Sequence, residues 1–286
     1  MAVYKRNYKG YAGPLTARWS RFLILTRYSY ARLFQSQFLL IFLMVCLIPP
    51  ICFAAFIYLS HNLKFLALMR IPTDQLLAIS GRFFYYYCTV QGVLAYVLTA
   101  LVAPNLVSPD LVNGALPLYF CRPFSRTQYV AGKLGVLLAI LSLITWVPGL
   151  LLFLIESSVT GWDWAFDNLW LAWGIFAGLL IWILVLSLIG LALSAWVKWK
   201  IAAGALLLGV FFAGAGFGSA IDSVMRTNVG ALINLAQVAQ TLQADLLRYD
   251  SGTDMPVSSA WLVLGITCAM SLALLARRVR AFEVVK

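Results

Sequence analysis

Charge is scarce in this chain. Of its 286 residues only 11% are Asp, Glu, Lys or Arg and 63% are hydrophobic, where a soluble domain carries roughly 25% charged residues. That balance excludes a soluble globular fold and describes an all-α integral membrane protein. Histidine is nearly missing. His61 stands alone just past the first apolar run, and a lone interfacial imidazole is a solvated loop residue before it is a base or a ligand. The five cysteines, Cys46, Cys52, Cys88, Cys121 and Cys268, have neither metal-ligand nor secreted-framework spacing, which leaves them as free thiols. No H-E-x-x-H, G-x-S-x-G or Cys/His cluster occurs. Gly132-Lys133 looks like the tail of a phosphate-binding loop, but Leu134 follows it and Thr127 stands where the first glycine belongs. The chain is therefore read as no enzyme, with no cofactor, nucleotide or metal of its own. Ionisable residues are also missing near the centre of every long apolar run. Ion-coupled carriers place such groups at the midplane, so their absence argues against a secondary carrier.

Long apolar runs are what the chain has in plenty. A helix needs about 20 apolar residues to cross a bilayer, and six windows qualify: Leu39–Leu59, Phe83–Val107, Leu134–Ile155, Leu169–Trp196, Ile201–Ile221 and Ser258–Ala276. Pro49-Pro50 predicts a kink in the first. The basic N-terminal stretch is too long and lacks a cleavage site for a signal peptide, so the first span is expected to be retained. Of the Lys and Arg residues, only Lys64, Arg70, Arg82, Arg226 and Arg248 fall on the side away from the termini. Carboxylates run the other way, with only Asp110 and Glu283 on the terminal side. The positive-inside rule then places both termini in the cytosol of a multi-pass protein of the plasma (inner) membrane. Membrane orientation accounts for the net charge of +11, and no nucleic-acid partner is needed. The resulting organisation is a cytosolic segment over 1–38, a six-span domain over 39–276 and a basic tail over 277–286.

Three segments carry finer patterns. Ahead of the first span Trp19, Phe22, Leu23, Thr26, Tyr30, Leu33 and Phe34 recur at helical spacing, with Arg18, Arg21 and Arg32 opposite. This reads as an interfacial amphipathic helix held by anionic lipid, or more simply as a basic anchor that sets topology. Gly174 and Gly178 in the fourth span, and Gly204, Gly209, Gly214, Gly216 and Gly218 in the fifth, point to close helix packing. Gly209, Gly214 and Gly218 are alternatively candidates for a dimer interface or passage wall. The outer segment over 222–257 has Val229, Leu232, Ile233, Ala236, Ala239, Leu242 and Leu246 on one helical face, and Asn234, Gln237, Thr241, Asp245 and Arg248 on the other. Such a helix either lies on the outer surface or dips back in as a lid.

The remaining polar stretch, residues 108–133 between the second and third spans, is basic and patterned. It contains Pro123-Phe124-Ser125-Arg126-Thr127-Gln128-Tyr129-Val130-Ala131-Gly132-Lys133. With six spans and the N-terminal helix, this resembles permease subunits of the type-2 ATP-binding-cassette exporter class, whose loop ends Pro-x-Ser-Arg-x-x-Tyr/Phe-x-x-Gly-Lys. Upstream that class shows an acid, then Gly-Thr-Leu. Here Asp110 precedes Asn113-Gly114-Ala115-Leu116, with Asn113 in place of the nearer acid, Ala115 in place of Thr, and Pro117 intruding. The resemblance implies a coupling loop that docks on a separate ATPase subunit, which binds Mg-ATP, and a dimer with a second permease copy or sibling. It assigns that contact to Asp110, Gly114, Tyr119, Arg122, Pro123, Phe124, Ser125, Arg126, Gly132 and Lys133, and to Arg18, Trp19, Arg21 and Phe22 of the interfacial helix. Arg122 and Arg126 suit a carboxylate-lined groove, and Tyr119 and Phe124 suit apolar anchoring. A membrane anchor or assembly factor that recruits a soluble partner is the competing reading.

Overall fold

The computed structural model describes residues 21–62, 78–115, 125–225, 230–252 and 255–278, and every regular element among them is helical. Six helical stretches are long and apolar enough to cross a membrane. The first span is a broken pair, α1 being the helix ahead of it (Arg21–Leu33) and α2 (Gln37–Cys46) and α3 (Ile48–Ser60) its two halves. The second is α4 (Gly81–Val112), and the third is again a broken pair, α5 (Arg126–Ile144) and α6 (Trp146–Thr160). A short α7 (Trp162–Asp167) leads to the fourth span, α8 (Leu169–Trp196), and the fifth, α9 (Lys200–Met225). A 3-10 turn (Gly230–Leu232), α10 (Leu235–Leu246) and the sixth span, α11 (Val257–Arg278), complete the described chain. The fourth span matches its expected window; the second and third run beyond theirs, chiefly at the end nearest α1. Those added turns are too polar for a hydropathy window, yet they continue the helical hydrogen bonding.

The second and fourth spans form the centre. They are 61% and 72% buried inside the bundle, against 17–22% for the first, fifth and sixth. Where α4 and α8 meet, small residues let the backbones close. Gly190 leaves room for Ala103 and Thr99, and Gly92 for Trp182, whose indole N–H donates to the Gly92 carbonyl at 3.0 Å. Near the α1 end Ser108 and Ser194 bond to each other, and the Ser108 hydroxyl also reaches the Ser194 and Val197 carbonyls at 3.0 Å.

Both broken spans owe their breaks to proline. A helical proline offers no N–H to the carbonyl four residues back, so Pro50 strips Cys46 and Pro148 strips Ile144. The Pro49-Pro50 kink was expected; the break before Trp146 was not. Gln91, buried about a third of the way along α4, resolves both. Its side-chain N–H group donates to the Cys46 carbonyl at 2.9 Å and to the Ile144 carbonyl. One turn away the Tyr87 hydroxyl donates to the Thr145 carbonyl at 2.6 Å. At the far end of the bundle His61 is not solitary. Its Nε2 lies 3.5 Å from the buried Glu156 carboxylate, which also accepts from the Thr160 hydroxyl at 2.8 Å, so the ends of the first and third spans are tied.

The segment between the fifth and sixth spans dips back into the bundle. It turns beside α9, where Gly230 N–H donates to Asp222 at 2.6 Å, and α10 then climbs between α8, α9 and α11. Glycines admit it. A Cβ on Gly218 would stand 2.6 Å from the Gly230 carbonyl, one on Gly214 2.9 Å from that of Ile233, and one on Gly174 2.7 Å from that of Leu246. Gly178 meets the Gln243 side chain. Of the expected polar face Thr241 is buried, Asn234 and Gln237 are half-buried, and Asp245 and Arg248 are exposed; Gln243 is buried along with Val238, Ala239 and Leu242.

Two outcomes are expected from this architecture. Gln91→Leu leaves two buried carbonyls without donors, at about 1–3 kcal/mol each, and should lower unfolding stability measured by denaturant titration in mixed micelles by about 2 kcal/mol or more. Gly174→Val should expel α10. In a cysteine-free background, Cys at position 239 should then react with a membrane-impermeant maleimide, whereas with Gly174 intact it stays protected.

Candidate functional site at the loop between the second and third spans

The loop begins and ends on capped helices. α4 closes through Asn113, whose N–H donates to the Pro109 carbonyl, and through Gly114, which takes φ 61, a conformation glycine adopts without Cβ strain. α5 opens at Ser125. Its hydroxyl accepts from Gln128 N–H at 3.2 Å, and the Gln128 side chain accepts from Ser125 N–H at 3.0 Å. That reciprocal capping fixes where the third span starts. Ser125, assigned above to a partner contact, thus has a defined role in holding its own helix; Arg126 next to it is exposed.

The two helix ends are joined by a buried ion pair. Lys133 Nζ lies 2.9 Å from Asp110 Oδ2, with the two side chains only 6% and 11% exposed. The Tyr129 hydroxyl donates to the same carboxylate oxygen at 2.9 Å, and Lys133 Nζ donates to the Ser29 hydroxyl at 3.5 Å. Tyr129 and Lys133 sit four residues apart, one above the other on α5, so both face the last turn of α4. The Lys133 ammonium also lies 5.6 Å from the Tyr129 ring centre. Asp110 and Lys133 therefore face each other inside the protein rather than solvent.

Helix α1 is locked to the same place. Thr26 donates to the Gly132 carbonyl at 3.3 Å and Tyr30 to that of Val136 at 3.4 Å. Donors four apart on α1 thus meet carbonyls four apart on α5, and the two helices run side by side in the same direction. Burial raises the Tyr30 phenol above its ordinary pKa. Thr26, Tyr30 and Leu33 of the expected apolar face do turn inward, toward the third span and the core, while Arg27, Tyr28 and Arg32 stay exposed. A cleft of about 320 Å³ separates α1 from α4, bordered by Ser29, Arg32, Asn105 and the ion pair.

Of the other site residues named from the sequence, Arg18, Trp19, Tyr119, Arg122, Pro123 and Phe124 lie outside the described residues, as does Cys121; Arg21 and Phe22 fall in the first turn of α1. Gly132 supplies the carbonyl that Thr26 holds. Gly214 and Gly218 face the re-entrant segment of their own chain, while a Cβ on Gly209 would meet nothing. Sequence reasoning missed Ser29 and the bracing role of Tyr129. The only signal for the latter was its spacing from Lys133. No model of a known protein family matches this chain, and no curated protein does.

Removing one member of a buried pair strands the other charge, which typically costs 3–5 kcal/mol, whereas replacing both with apolar residues is often near neutral. Asp110→Ala should accordingly lower stability by about 3 kcal/mol, and Asp110→Leu with Lys133→Met should recover most of it in a double-mutant cycle of unfolding.

Proposed function

We propose that this chain is the transmembrane permease subunit of an ATP-binding-cassette exporter. A separate ATPase subunit binds and hydrolyses Mg-ATP and docks on the loop between the second and third spans. In this reading the loop and both termini are cytosolic, the membrane is the plasma (inner) membrane, and α1 packs beside the cytosolic end of the third span, near the anionic headgroups. A second copy or sibling permease covers part of the apolar surface that the first and fifth spans leave open.

The observation that carries the proposal is the bracing of the loop. Asp110, Tyr129, Lys133 and Ser29 fasten the end of the second span, the start of the third and α1 into one unit. Force applied to the loop or to α1 is therefore delivered to two spans together, which is what a coupling element must do. Arg126 remains exposed on the first turn of α5 for a partner carboxylate. A plain topological anchor has no need of a buried ion pair between its helix ends.

The test is reconstitution with the cognate ATPase. Arg122→Glu with Arg126→Glu should weaken subunit association and abolish stimulation of ATP hydrolysis, with the permease still folded. Unchanged association and stimulation would sink the coupling role. Association that is lost on charge reversal, in a complex that never turns over substrate, would instead mark a recruiting anchor.

A further inference from the structure

Between α4, α8, α9 and the re-entrant α10 lies a cavity of about 240 Å³. Its walls are aromatic and small: Tyr96, Trp182, Phe211 and Phe212 face Gly92 and Ala239. Tyr96 and Phe211 stand 4.7 Å apart between ring centres, and Trp182 meets Phe211 edge-on at 5.7 Å. No Asp, Glu, Lys, Arg or His lines it. An ionic ligand would lose its hydration there with no counter-charge in return.

The polar groups of the wall divide into two sets. The Tyr96 hydroxyl is engaged by the Leu208 carbonyl at 2.8 Å, the Trp182 indole by Gly92 at 3.0 Å, and the Thr89 hydroxyl by Tyr85 at 2.9 Å. The side-chain amides of Gln240 and Gln243 are different: both line the cavity, and neither makes a side-chain hydrogen bond among the described residues. Gln243 is only 3% exposed. An apolar pocket with a few convergent polar groups is the usual form of a small-molecule site. The mouth opens sideways. Val93 is 55% exposed and Phe212 73%, so entry is from the outer face of the bundle, between the second and fifth spans.

We infer that this cavity binds an uncharged, ring-bearing molecule with one hydrogen-bonding group, which Gln243 and Gln240 hold by that group while the aromatic wall takes the rings. The site lies within one chain rather than between two. As the substrate class of the exporter it rests on the function proposed above; as a ligand site it does not.

Benzophenone has the required chemistry, two rings and one carbonyl acceptor, and inserts into nearby C–H bonds on irradiation. With the full chain in lipid nanodiscs, mass spectrometry should find saturable adducts on cavity residues such as Val93, Phe211 and Ala236, while adducts on lipid-facing side chains rise linearly. The anionic 4-benzoylbenzoate should give no saturable cavity adduct. Gln243→Leu should weaken apparent affinity roughly three- to tenfold, the worth of one hydrogen bond, and Ala239→Phe should fill the space and remove the adducts. Linear labelling of the cavity, equal labelling by the anion, or indifference to both substitutions would overturn the inference. If either variant does not fold, saturation and charge discrimination in the unaltered chain decide. Adding the ATPase separates the two readings. Saturable cavity adducts without benzophenone-stimulated hydrolysis keep the site and remove the export role; stimulated hydrolysis without them removes the site alone.

Discussion

The fold depends on one constraint: inside a bilayer, no backbone carbonyl can turn to water for a partner. In the first and third spans, Pro50 and Pro148 each leave a carbonyl open at the point where the helix breaks. A single carboxamide on the span between them answers both, with the two donors of Gln91 reaching Cys46 and Ile144. The breaks in the first and third spans are thus held against the same turn of the second. Neither can straighten or slide without stranding a polar group in hydrocarbon. A neutral amide suits this better than a charge, since it supplies two donors without the cost of burying an ion.

The second span recurs at each junction. Its last turn presents Asp110 to Lys133 and Tyr129, Ser108 two residues earlier bonds to the fourth span, and Gln91 sits about a third of the way along it. The fourth span plays the complementary part with small residues. Gly190 lets the second span approach, and Gly174 and Gly178 let α10 in. Those glycines mean that the close approach is to a segment of the same chain, a helix folded back into the bundle. For α10 the gain is clear: a 12-residue helix is marginal alone, and burial between three spans supplies what propensity does not.

How far the sequence discloses this follows from where each signal resides. Six spans are readable because hydropathy over about 20 residues is a bulk property, and Pro49-Pro50 announces its break locally. The early start of the third span escapes a hydropathy window, because Arg126 to Lys133 are polar and only the Ser125–Gln128 cap marks them as helix. The ion pair escapes for a different reason. Asp110 and Lys133 look like two charges of one basic loop, and only the return of the chain puts them face to face. Thr241 looks solvent-bound on a helical wheel, yet the glycines that let α10 into the bundle leave it buried. The break at Thr145 was legible in principle, since Pro148 with a lone glutamine in a neighbouring span is a donor–acceptor match waiting for a contact.

The same two turns of the second span hold a broken helix on one side and wall the cavity on the other. Tyr87 and Gln91 face the breaks, while Cys88, Gly92 and Tyr96 face Trp182, Phe211 and α10. The second span is one helix from Gln91 to Asp110, packed among its neighbours, with Pro104 and Pro109 inside it. A push on the braced loop therefore reaches Gly92 and Tyr96 along one helix, with Pro104 the point on the way where it bends most easily. The prolines set where the neighbouring spans can yield, because a helix bends most easily where its hydrogen-bond ladder is already interrupted. Movement at the loop that shifts the second span must either carry the halves of the first and third spans nearest α1 with it or break the bonds of Gln91. Either course changes the wall against which a bound molecule rests, and that links the polar end of this chain to its apolar cavity without any charge crossing the membrane interior.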